Sequence, residues 1–89
     1  MANLPVANDV EALITRRFRA AASAGAKHIV LQSGDLHREL GGYPGSGHRM
    51  PTVCNIMRRF MNTDDRVLPG GPARGNGATL EILYRLPRR

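Results

Sequence analysis

Thr52, Asn55 and Arg59 recur at i, i+3 and i+7 in the stretch "MPTVCNIMRRFM", with Arg58 beside them. On a helix that spacing puts the polar side chains on one continuous face. Met50, Val53, Cys54, Met57, Phe60 and Met61 fall on the other side, and Pro51 suits a first turn, so the run reads as an amphipathic helix. Arginine holds a permanent charge on a planar fork that fits phosphate and the edge of guanine, which suits this face to a polyanion. His48 and Arg49 stand just before the helix, and Arg74 stands in the glycine-rich stretch "PGGPARGNG".

Other chemistries fit less well. Gly42 and Gly47 have the spacing of glycines in a phosphate-binding loop, but His48 and Arg49 replace the Lys and Ser/Thr that would meet phosphate and magnesium. The loop also follows a helix instead of a strand. His28, His37, His48 and Cys54 form no paired-ligand spacing, so no metal is expected. His28 is expected to be solvated or locally bonded, His37 to lie on a helix surface and Cys54 to act as a half-buried hydrophobe. Asp35 and His37 stand two apart on a helix and point in different directions. No nucleophile has an evident base and orienting acid. The expectation is a non-enzymatic protein with no catalytic residue and no cofactor.

Composition narrows the class. The 89 residues suit one domain, 1–89, ordered over about 8–86 with a loose basic tail at 87–89. A hydrophobic fraction of 42% with only 4% aromatic residues calls for an aliphatic core without a large pocket. Thirteen Lys and Arg against seven Asp and Glu give a net charge of +6, and Lys27 is the sole lysine. A GC-rich genome would account for arginine over lysine but not for the net charge. One cysteine excludes an internal disulfide, and no run reaches the ~20 apolar residues of a membrane span. The opening "MANLPVAND" lacks a signal-peptide pattern, so a cytoplasmic, nucleoid-associated location is expected.

Several elements must position the polar face. Asn8 and Glu11 form a capping box ahead of the stripe Val10, Leu13, Ile14, Phe18, Ala21 and Ala22, and Gly25 stops that helix. Arg16, Arg17 and Arg19 lie away from most of the stripe. Lys27–Gln32 reads as a strand, and Ser33 caps a brief helix that ends at Gly41. After the glycine loop comes the basic helix, its methionines packing as core filler against Phe18, Leu36 and Leu40. Asp64 and Asp65 form a turn, and Arg66–Leu68 is extended. In Ala78–Leu86, Leu80, Ile82, Tyr84 and Leu86 alternate with the period of a half-buried strand, completing a hairpin around residues 69–77.

This α+β order, α-β-α-α-β-β with a basic third helix and a glycine-rich hairpin tip, resembles the winged-helix (winged helix-turn-helix) family over about residues 8–86. The chain also resembles small bacterial proteins with a "GDLHRELG" then "HRMPTVC" pattern, a likeness that implies no activity. The winged-helix resemblance implies a three-helix core, a C-terminal wing and double-stranded DNA as partner, in a regulatory or architectural role. It places the third helix in the major groove, facing Thr52, Asn55, Arg58 and Arg59 toward the bases or phosphates, with His48 and Arg49 at its start. Asparagine bridges adenine and arginine bridges guanine, each good bidentate pair contributing about 1–3 kcal/mol of discrimination. It places Arg74 at the wing tip, on the backbone or in the minor groove. The stretch "GGYPGSGHR" expands the usual tight turn, either to meet phosphates at the third helix or simply to link two helices. Other partners use the same charge: an acidic surface in a DNA-processing or defence complex, or a structured RNA. A homodimer suits a module with so small a footprint, although no heptad or spare helix shows how it would form.

Overall fold

The first amphipathic run forms α1, Ala7–Ser23, burying Val10, Leu13, Ile14 and Phe18. Asn8 therefore lies within the first turn instead of capping it. At the other end Gly25 has φ 88°, with Ala26 N–H donating to Ala21 O at 2.9 Å and Gly25 N–H to Ala22 O at 3.0 Å. This bond pair closes a helix on a left-handed residue, a conformation glycine adopts without a Cβ clash.

The computed structural model describes residues 7–40, 50–69 and 77–87. After α1 come β1 (His28–Gln32), α2 (Ser33–Leu40), α3 (Met50–Arg59), β2 (Arg66–Val67) and β3 (Glu81–Arg85). The result is a small α+β domain of three helices and a three-stranded antiparallel sheet in the order β1-β3-β2. His28 to Gln32 pair with Arg85 to Glu81, while Arg66 and Val67 pair with Leu83 and Ile82. Alternation along β3 follows from that placement: Leu80, Ile82, Tyr84 and Leu86 face the helices and are buried.

The core is aliphatic, with Phe18 at a crossing point. Its ring meets Tyr84 edge-on at 4.9 Å and Phe60 at 5.9 Å, joining α1, β3 and the end of α3. Ile56 is buried beside Val53 and Met57, while Phe60 and Met61 are only partly covered. His37 is fully buried, against the expectation of a surface position. The reason is that α2 packs against α1, α3 and β1 at once, leaving a narrow solvent face around Asp35, Arg38 and Glu39. No helix among the described residues is long and apolar enough to cross a membrane.

Candidate nucleic-acid interface

The site is built on α3, so its frame is the way α3 is held. Its last turn would leave carbonyls without helical donors. Met61 N–H turns to Arg58 O at 3.1 Å, and the Met57 carbonyl instead accepts the buried Tyr84 hydroxyl at 2.7 Å. A turn then carries the chain to the sheet. Asp64 N–H donates to Asn62 Oδ1, and the Asp65 carboxylate accepts Asn62 N–H through one oxygen and Arg85 N–H through the other, each at 2.8–2.9 Å. The expected turn at Asp64 and Asp65 is therefore also a tie between α3 and β3.

A second joint lies along α2. Ser33 is the first residue of the helix, and its hydroxyl donates to Gly77 O at 2.6 Å instead of serving as the expected cap. Capping comes from the neighbouring segment: Ser33 N–H donates to Leu80 O and Gly34 N–H to Ala78 O, both at 2.9 Å. Gly34 has no room for a side chain, since a Cβ there would stand 2.8 Å from Ala78 O. The Cys54 thiol of α3 also donates to Gly77 O, at 3.5 Å. Burial pushes that thiol's pKa up, partly offset by the Ser33 hydrogen bond and the Arg58 charge.

These joints turn one arc of α3 outward. At about 100° per residue, Arg58, Pro51, Asn55, Arg59 and Thr52 follow one another around roughly a third of the helix circumference. Asn55 and Arg59 are exposed and Thr52 and Arg58 half-buried at its margins, while Met50, Val53, Cys54, Ile56 and Met57 are buried behind them. On one side the arc borders α1, where Glu11 Oε2 lies 4.0 Å from Arg59 Nη1. On the other it borders the segment anchored at Gly77. No acidic residue occurs within α3 itself.

The structure thus brings Thr52, Asn55, Arg58 and Arg59 together on one solvent-facing surface. His48, Arg49, Arg74 and the glycine loop 41–47 lie outside the described residues, as do Arg88 and Arg89. Two features escape the sequence reading. Ile56, three residues after Val53, extends the apolar stripe and narrows the polar face. Glu11, read only as part of a capping box, is an acid at the edge of the arc, which only the packing of α1 on α3 reveals. Among the described residues no three His, Cys, Asp or Glu side chains converge as a metal site would require. No family model, curated protein or solved structure matches the chain significantly.

Proposed function

We propose that this is a winged-helix domain that binds double-stranded DNA without catalysing a reaction, in a regulatory or architectural role. The observation that carries the reading is the arc of Thr52, Asn55, Arg58 and Arg59 on α3, with Asn55 and Arg59 exposed and Thr52 and Arg58 half-buried at its margins, beside the segment leading from the β2–β3 connection. The element order and the sheet order β1-β3-β2 support the winged-helix assignment. In this reading α3 enters the major groove, His48 and Arg49 meet phosphates at its start, and Arg74 meets the backbone or minor groove. Phosphate neutralisation supplies most of the affinity, and Asn55 with the arginines supplies any base preference.

Fluorescence anisotropy with a random-sequence duplex at two salt concentrations tests the reading. Arg58→Ala with Arg59→Ala is expected to weaken binding on the order of tenfold or more and to reduce the slope of log affinity against log salt by about 2. Arg16→Ala with Arg19→Ala removes the same charge from the exposed outer side of α1 and is expected to change affinity far less. Equal losses from both pairs would leave only a nonspecific charge effect. Absence of binding by the unaltered chain at low salt would refute the proposal.

A further inference from the structure

β1 lies at one side of the sheet, paired among the described residues with β3 alone. Two bonds show which of its backbone groups that pairing uses. Leu86 N–H donates to Lys27 O and Ser33 N–H to Leu80 O, both at 2.9 Å. Such hydrogen-bonded pairs recur at every second residue of an antiparallel ladder. Lys27, Ile29, Leu31 and Ser33 therefore turn their backbone groups toward β3, and His28, Val30 and Gln32 turn theirs to the outer edge.

The side chains of those edge-facing residues stand on the sheet face away from the helices. Their partners on β3 are Arg85, Leu83 and Glu81, which alternate with the buried Ile82 and Tyr84. Val30 is 42% exposed on that face. A row of edge-facing backbone groups beside an exposed β-branched side chain is a template for another strand.

We propose that the strand it takes is β1 of a second copy of this chain, running antiparallel about a twofold axis at Val30. In that register Val30 faces the partner's Val30 and His28 faces the partner's Gln32. Each edge-facing residue then exchanges both of its backbone bonds across the axis. The pairing extends one apolar strip from Leu83 through both valines to the partner's Leu83.

Charge selects the same arrangement. One end of the outer face carries His28 and Arg85, and the other carries Gln32 and Glu81. Antiparallel pairing sets the basic end of each copy against the acidic end of the other, whereas parallel pairing would stack like on like.

The inference is independent of the DNA reading and is tested without nucleic acid. Sedimentation equilibrium is expected to show a monomer passing to a dimer as concentration rises. Amide hydrogen exchange over the same range should show His28, Val30 and Gln32 gaining protection in step with the dimer, while Ile29 and Leu31 are protected throughout. Val30→Lys sets two ammonium groups opposite each other, and Val30→Pro removes the central edge N–H. Each is expected to weaken the dimer on the order of tenfold while leaving the far-UV circular dichroism unchanged. A chain that stays monomeric at millimolar concentration, or dimerises equally well in both variants, overturns the proposal. So does protection of the three edge amides that is independent of concentration, because a segment of the same chain would then cover the strand. Should either variant misfold, the exchange pattern of the unaltered chain decides by itself.

Discussion

The two sides of α3 use polar groups in opposite ways. Toward the interior, the Cys54 thiol, the Ser33 hydroxyl, the Gly77 carbonyl, the Met57 carbonyl and the Tyr84 hydroxyl are joined in hydrogen bonds within the fold. Toward solvent, Asn55 and Arg59 stand exposed, and the nearest acid to Arg59 lies 4.0 Å away with both side chains well hydrated. Inside, a lost partner leaves a desolvated group and costs stability. Outside, water replaces a lost partner and little stability is at stake. The difference teaches that in this domain the groups that place α3 and the groups that α3 presents are separable. Substitutions should move either folding or binding, and seldom both.

Gly34→Ala is the strongest way to break that division. Its methyl group would stand 2.8 Å from a backbone oxygen and 3.2 Å from Ala78 Cβ, so α2 or the 77–80 segment must shift. A loss of about 1–3 kcal/mol is expected in urea unfolding, although alanine is the better helix former. In a domain of this size that corresponds to a fall in Tm of about 4–8 °C per kcal/mol. Stability equal to that of the unaltered chain would mean that the joint is not close-packed.

Tyr84→Phe is smaller and cleaner. It keeps the ring packed against Phe18 but leaves the Met57 carbonyl without the Tyr84 hydroxyl, at a cost of about 1–2 kcal/mol. Below the unfolding transition, duplex affinity should be unchanged. A large loss of affinity in the folded variant would show that the two sides of α3 are coupled.

The same division explains what could be read in the chain itself. Periodicity revealed α1, the alternation of β3 and the apolar side of α3, because each element buries one face against one layer. Gly25 was legible because a left-handed residue closes α1. α2 was misread in its details because it is only eight residues long and touches several elements. Packing on α1, α3 and β1 buries His37 whatever its polarity suggests, and Ser33 turns from its own helix to Gly77 because the 78–80 carbonyls already receive the first amides. Local patterns carry no information about such contacts, since Ser33 and Gly77 are 44 residues apart. The polar face of α3 was legible as a set, whereas its acidic neighbour Glu11 comes from another helix.

Cys54 offers a titration of the inner side. Burial raises its pKa, so the folded chain keeps a proton that the unfolded chain releases near the ordinary thiol value of about 8.5. The stabilising contribution is therefore complete below that value and is lost as pH rises through the folded-state value. Comparing the slope of stability against pH between the unaltered chain and Cys54→Ala isolates this effect from the cost of the substitution. The variant is expected to lose less stability on passing into alkaline solution. Identical slopes would place the thiolate in an environment as favourable as water.

The outer side is sharpened by Glu11→Gln, which keeps size and polarity while removing the acid beside Arg59. Stability should change by less than about 1 kcal/mol, because an exposed pair at this distance contributes little. Binding should respond in the opposite direction. Glu11 repels phosphate and offsets part of the Arg59 charge, so its removal is expected to raise duplex affinity about two- to threefold at low salt, with the gain shrinking as salt screens it. The gain should also vanish in an Arg59→Ala background if it passes through that arginine, which a double-mutant cycle measures directly. A gain of the same size without Arg59 would mean that Glu11 acts through the net charge alone, and that the arc has no specific electrostatic border on α1.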